Sequence, residues 1–366
     1  MTDIAKAIAG LIATEIAARP EQVRAAVDLL DGGATVPFVA RYRKEVTGGL
    51  DDAQLRTLET RLGYLRELEA RRAAILQSID SQGKLTSDLS AQIARVMTKS
   101  ELEDIYLPYK PKRRTKAEIA RERGLEPLAE TLFENRALTP LTEAEKYLSD
   151  DVPDTKMALE GARDILAERF AEDAELIGRL RDYMERKAVL RARVIDGKQE
   201  QGAKFSDYFD HAEAWSKVPS HRALAMLRGR NEEVLAVDLE LDADAEGKYK
   251  PAETMVAAHF GIRADGGVAD QWLMDVARWS WRVKLWLHLS VDLMGRLRER
   301  AEDEAITVFA RNLKDLLLAA PAGNRATMGL DPGIRTGVKV AVVDATGKVL
   351  DTATIYPFQP RNDIQG

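Results

Sequence analysis

Residues 327–343 read TMGLDPGIRTGVKVAVV, and they set one carboxylate, Asp331, between an apolar strand and a Pro-Gly turn. Three chemistries suit an acid so placed: the first ligand of a divalent-metal site, the floor of a phosphate-binding loop, or a plain turn residue. Two-metal phosphodiester chemistry needs several carboxylates around ions about 4 Å apart. The neighbouring acids do not converge on Asp331. Asp344 follows a strand of about six residues, which carries it roughly 20 Å to the opposite end of the sheet. Asp351 opens the next strand toward that same far end, and Asp363 lies in a tail without pattern. The turn PGIRTG holds two glycines and a threonine, but a nucleotide kinase of this strand pattern would need further loops that do not follow. Asp331 therefore reads as a lone acid, and neither a metal nor a cofactor is expected.

The second chemistry on offer is cationic. YKPKRRTKAEIARER (109–123) holds seven basic residues against two acidic ones, and ARYRKE (40–45) holds three against one. Each run taken alone is most simply a solvated face. A proline-stiffened basic loop that feeds a helix start is also suited to anions, because unpaired backbone N–H groups there add to the side-chain charge; the alternative is a solvated connector. The net charge of −6 excludes a protein that coats nucleic acid indiscriminately, so local patches must carry any such role. With no cysteine, disulfides and thiolate zinc sites are excluded. The four histidines, His211, His221, His259 and His288, lack ligand spacing. No apolar run reaches the roughly 18 residues of a membrane span, and Asp3, Lys6 and Glu15 interrupt the place of a signal peptide, so the expected compartment is the cytoplasm.

The elements that position these residues are mostly helical. Ile4, Ile8 and Leu11, then Val23, Val27 and Leu30, recur at helical spacing before Gly32-Gly33. Thr35 is placed to cap a third helix that carries Phe38, Arg41, Tyr42 and Lys44 as far as Gly48-Gly49. Two helices around a short glycine turn, the second one basic, have helix-turn-helix character, although ordinary helical hairpins share the pattern. A longer helix follows from Asp51 to about Ser81, with Leu55, Leu58, Leu62, Leu65 and Leu68 as its packing seam. Ser100 with Glu103 and Thr115 with Glu118 have capping-box spacing on either side of the YKPKRR loop. Residues 156–187 are again helical.

AVLRARVID and EEVLAVDLELD alternate like half-exposed strands, with a helix from Pro219-Ser220 to Arg228-Gly229-Arg230 between them. From 269 to 320 apolar residues recur every three or four positions, through Trp272, Val276, Trp279, Val283 and Trp286 to Leu313 and Leu316. At 1.5 Å per residue such a helix would span roughly 75 Å, and its tryptophans read as core anchors. Beyond PAGN (321–324) come three strands, TMGLD, VKVAVVD and KVLDTATIYP, the last two joined by a tight turn at Asp344–Gly347. Three strands with no helix to cover them read as the start of a domain, and hence as the N-terminal part of a longer protein.

FVARYRKEVTGGLDDAQLRTLETRLGYL, ELEDIYLPYKPKRRTKAEIARERGLEPLA, GAKFSDYFD followed by SHRALAMLRGR, and GLDPGIRTGVKVAVVD resemble the Tex family of bacterial transcription-accessory proteins. The resemblance implies a mainly α, multi-domain fold: a helical N-terminal region (1–187), a small mixed α/β module with helix-turn-helix character (188–265), a long central helix and linker (266–324), and the first strands of an α/β RNase H-like (YqgF) domain from 325. Family members continue into helix-hairpin-helix elements and an RNA-binding OB-fold. Asp331 matches the first-strand aspartate of RuvC-like resolvases and is carried as a relic rather than a catalytic residue.

The function expected is a non-catalytic scaffold that holds nucleic acid, RNA foremost, through phosphate contacts, with transcription or translation machinery as further partners. Its candidate contacts are Arg41, Arg43, Lys44, Lys110, Lys112, Arg113 and Arg114, then Arg222, Arg228 and Arg230, with Tyr42 or Tyr109 able to stack on a base. A metal-dependent nuclease and a protein-binding helical adaptor stand as the alternatives.

Overall fold

The computed structural model describes residues 3–110, 114–243, 245–320, 323–333, 337–357 and 363. Two compact units divide the chain, Met1–Arg298 and Glu299–Gly366.

The first unit opens with α1 (Asp3–Glu15), α2 (Pro20–Asp31) and α3 (Val36–Tyr42) packed on the long α4 (Asp52–Ser81). The seam expected on α4 is the one that packs: Leu55, Leu58, Leu62, Leu65 and Leu68 are buried, and Ile75 and Ile79 extend it. Asp51 caps this helix by accepting from the Gln54 N–H at 2.8 Å, while the Gln54 amide donates to the Ile16 carbonyl and so fixes α1 against its start. On α1 the buried face is Ile8 and Ile12, continued by Ile16 just past its end; Ile4 and Leu11, expected on that stripe, are exposed. Bidentate pairs Arg61–Glu15 and Arg66–Asp31 tie the ends of α1 and α2 to α4.

The chain continues through α5 (Ser87–Arg95) and α6 (Lys99–Tyr106), which close the same core with Ile93 and Leu102. The cap of α6 is Thr98, which accepts from the Glu101 N–H and bonds the Glu101 carboxylate. It stands two residues before the expected Ser100, because Lys99 already has helical geometry. The helices α7 (Lys116–Glu122), α8 (Glu126–Glu134), α9 (Pro140–Ala144), α10 (Thr155–Ala171) and α11 (Ala174–Lys187) follow. Thr115 caps α7 as its spacing predicts.

A three-stranded antiparallel sheet then forms from β1 (Val189–Val194), β2 (Asp210–Ala214) and β3 (Leu235–Glu240), in the order β2-β1-β3. Sequence alternation showed β1 and β3; β2 (DHAEA) has no apolar alternation and forms because β1 offers it a free edge. The helix α12 (Ser220–Asn231) connects β2 to β3, and α13 (Pro251–His259) comes after the sheet.

From Val268 to Leu317 the backbone stays helical: α14 (Val268–Ser280), a π turn (Trp281–Leu285) and α15 (Trp286–Leu317). The buried row is Leu273, Ala277, Trp281, Leu285, Leu289, Leu293, Leu297 and Ala301, every fourth residue. In an α-helix such a row advances about 40° per step, and the extra residue of the π turn sets it back. The expected stripe holds at Val276, which is buried, but not at Trp279 or at Val283 within the π turn, which are exposed while Trp281 is buried. Past Ala301 the helix carries Ile306, Phe309, Leu313 and Leu316 on its surface. The boundary between the two units falls inside α15, close to where the buried row ends at Ala301.

The second unit holds β4 (Thr327–Gly333), β5 (Gly337–Val343) and β6 (Val349–Ile355), antiparallel in the order β4-β5-β6. The Asp344 carboxylate accepts from the Thr346 and Lys348 N–H groups and closes the β5–β6 hairpin as the sequence predicts.

Candidate nucleic-acid interface

The first basic stretch stands where α3 ends. Val36, Val39 and Ala40 are buried and anchor this short helix, which turns Arg41 and Tyr42 outward. The helix stops at Tyr42, so Arg43 and Lys44 lie in the turn that follows rather than in a helix running on to Gly48. Thr35 holds the N-cap position without a side-chain bond. The turn is held from below: the Gln22 amide donates to the Thr47 and Gly48 carbonyls at 3.2 and 2.8 Å. Gly48 has φ +61° and would press a Cβ to 3.0 Å from that amide, a backbone that favours glycine on both counts.

Arg43 lays its guanidinium over the Phe38 ring, 5.1 Å from the centroid, and donates to the Tyr42 carbonyl at 2.8 Å. Phe38 and Tyr42, one helical turn apart, meet with centroids at 5.4 Å. Sequence reading named Tyr42 but treated Phe38 only as a residue of the helix. The signal available was the i, i+4 spacing of two aromatics on a helix too short to bury both faces.

The second stretch leaves α6 through a 3₁₀ turn at Leu107–Tyr109. Gln82, beyond the last turn of α4, donates to the Tyr109 carbonyl at 2.8 Å, and the hydroxyls of Ser78 and Tyr106 meet at 2.8 Å. Tyr109 is half-buried against the N-terminal core, so less of its ring is open than of Tyr42. Lys110 is exposed; Lys112 and Arg113 lie outside the described residues. Arg114 is hydrogen-bonded to Glu122, whose carboxylate raises the arginine's pKa above its ordinary value.

In the mixed module Arg222 donates to both oxygens of Glu213 at 3.1 Å, while Arg228 and Arg230 are exposed at the end of α12. Among the described residues Arg41, Lys44, Lys110, Arg228 and Arg230 have no ion-pair partner, whereas Arg114 and Arg222 are engaged.

These groups do not form one cluster. The first stretch leads into the start of α4 and the second is fastened at its end. The 30 residues of α4 span about 45 Å at 1.5 Å per residue, so the two stand roughly 30–45 Å apart along the helix.

Strand register decides the geometry around Asp331. It pairs with Lys339 on β5, while Asp351 pairs with Val342 and Thr327 with Val343, next to Asp344. Three rows along β5 are about 10 Å, and Asp351 is also a strand further across. Asp363, which sequence reading left in a tail, donates its N–H to the Tyr356 carbonyl at 2.9 Å. Tyr356 follows Ile355, the partner of Val338, so that acid is at the Asp331 end but across β5. No group of three or more potential metal-ligating residues occurs among the described residues, and among these no helix is long and apolar enough to cross a membrane.

Three family descriptions match in succession: a Tex-like protein N-terminal domain over residues 6–80, a Tex central region-like domain over 135–309 and a Tex protein YqgF-like domain over 325–366. The chain belongs to the Tex family. Among Tex relatives, Protein YhgF of Escherichia coli is 62% identical over 351 residues, 95% of this chain and 45% of that protein. The transcriptional accessory protein Tex of Neisseria gonorrhoeae is 54% identical over 360 residues, 97% of this chain and 47% of that one. S1 RNA-binding domain-containing protein 1 of Homo sapiens is 29% identical over 344 residues, 90% of this chain and 34% of that protein. The chain spans about half the length of the bacterial Tex relatives it matches. The Tex YqgF match coincides with β4–β6, and the central match takes in the mixed module and most of the long helix.

Proposed function

We propose that this Tex chain is a non-catalytic scaffold that holds nucleic acid, RNA foremost, in the service of transcription. The observation that carries this reading is the set of exposed cations without ion-pair partners, Arg41, Lys44, Lys110, Arg228 and Arg230, on turns and helix ends of one unit. Cations in such places neutralise phosphates without reading sequence. The names of two relatives, one a transcriptional accessory protein and one called after an RNA-binding domain, point the same way. Holding rather than cutting is supported by the register that keeps Asp344 and Asp351 away from Asp331.

Binding measured across a salt series tests the proposal. Affinity for RNA should fall steeply with salt, and Lys110→Ala should lower the slope of log K against log salt by about 1. Arg114→Ala should lower it less, because Glu122 already occupies that charge. An unchanged slope when Lys110, Lys112 and Arg113 are neutralised together removes the loop from the interface. Metal-dependent cleavage of RNA or branched DNA that is lost in Asp331→Asn would replace holding with hydrolysis.

A second reading, a helical adaptor for a protein partner, is favoured by the exposed Ile306, Phe309, Leu313 and Leu316 of α15. It takes over if the chain shifts no nucleic acid while Phe309→Glu abolishes capture of RNA polymerase or ribosomes.

A further inference from the structure

The aromatic surface at the end of α3 has more order than a solvated face requires. Phe38 is 40% exposed and Tyr42 59% exposed, although burying aromatic rings is among the larger gains a small helical unit can make. The rings are nevertheless held. Val36, Val39 and Ala40 fix the helix beneath them, the Arg43 guanidinium covers Phe38, and Gln22 braces the turn that carries Arg43 and Lys44. Arg41, Arg43 and Lys44 put three positive charges next to Tyr42 in the chain, against Glu45, and Arg43 brings its own onto Phe38.

We propose that Phe38, Tyr42 and Arg43 form a stacking platform for an unpaired nucleobase of single-stranded nucleic acid, with Arg41 and Lys44 on the flanking phosphates. This deepens the nucleic-acid reading above and rests on it. Bases inside a duplex are stacked on one another and present no face to a protein ring, whereas splayed bases of a single strand do. An apolar protein segment fits less well, because docking it would strip water from the cations around the rings with nothing to replace it. An anionic strand offers both an aromatic face and phosphates, and guanidinium and rings both stack on bases.

The test uses the whole chain, a labelled oligouridylate of about 15 nucleotides and a hairpin duplex of similar length. Base–aromatic contacts of this kind should make Tyr42→Ala weaken single-strand binding roughly 5- to 100-fold. Its salt slope should stay unchanged, and so should duplex binding. Arg41→Ala/Lys44→Ala should instead lower the salt slope by about 2 on either probe. Tyr42→Trp should keep the affinity, and its fluorescence, read as the difference from wild type, should be quenched by oligouridylate. Tyr42 is exposed and its loss leaves the fold intact, which far-UV circular dichroism checks. Wild-type affinity in Tyr42→Ala, or no quenching in Tyr42→Trp, overturns the platform while a retained salt slope leaves the phosphate reading standing. A wild-type chain that binds neither probe brings down both. Loss of a protein partner in Tyr42→Ala, with single-strand affinity unchanged, overturns the platform in favour of a protein site.

Discussion

Arg181 is the side chain on which several helices converge. From α11 it reaches Asp104 of α6 at 2.7 Å and Asp292 of α15 at 2.7 Å, and Asp104 also faces His288 at 3.5 Å. Burial alone would lower the arginine's pKa, but the two carboxylates more than offset it and hold the pKa above its ordinary value. Removing one member of a buried ion group leaves the others desolvated and unpaired, at a cost of roughly 3–5 kcal/mol. Arg181→Ala should therefore lower the unfolding free energy, obtained from urea titration, by an amount in that range. Asp292→Asn should cost less, since Asp292 is closer to solvent than Asp104. A negligible loss for Asp292→Asn beside a full loss for Arg181→Ala would show that the arginine's aliphatic packing, not its charge, is what matters there. This triad illustrates what sequence withholds. Asp104 and Arg181 read as ordinary polar positions of two amphipathic helices, and only tertiary packing brings them within bonding distance.

At the scale of elements, patterns with a period were legible and patterns that depend on a neighbour were not. The α4 seam, the Thr115 cap, the strands β1 and β3 and the β5–β6 hairpin follow from local spacing and are found where that spacing puts them. The strand β2 was missed because its pairing edge, rather than its composition, makes it a strand. The exposure of Trp279 and Val283 on the long helix was missed because a π turn leaves no mark in a count of threes and fours. Of the candidate site, the free cations and Tyr42 were legible as types, but which arginines a carboxylate had claimed was not.

The attachment of α1 and α2 to α4 gives a pH test at this same scale. Hydrogen bonds from Arg61 and Arg66 hold the Glu15 and Asp31 carboxyls below their ordinary pKa values, against the opposing effect of burial. A carboxyl lowered on folding stabilises above its unfolded pKa, near 4, and that contribution disappears as pH falls through the folded value. Partly exposed pairs like these contribute about 0.5 kcal/mol each after screening. Glu15→Gln/Asp31→Asn should thus unfold earlier than wild type near pH 7 and converge with it in acid, once pH has fallen below the lowered folded pKa values. A gap that persists in acid would trace the difference to packing.

On the scale of the whole molecule, burial is unevenly shared. The helical unit contains nearly all of the buried apolar side chains, while β4 and β6 keep Met328, Leu330, Val349 and Leu350 exposed and α15 keeps its stripe from Ile306 to Leu316 exposed. Cationic groups are distributed too, and α4 is the rigid member between two of their sites. A strut of this kind acts as a caliper. Its jaws, the Tyr42 turn and the Lys110 loop, stand roughly 30–45 Å apart, and a duplex covers that gap only at about nine to thirteen base pairs, at roughly 3.4 Å each. A ladder of duplex lengths should then show affinity rising in a step near that size, where a second set of counterions is released, and not as a smooth ramp. A helix laid down to bury leucines would in this way also set the shortest partner that can be gripped at both ends.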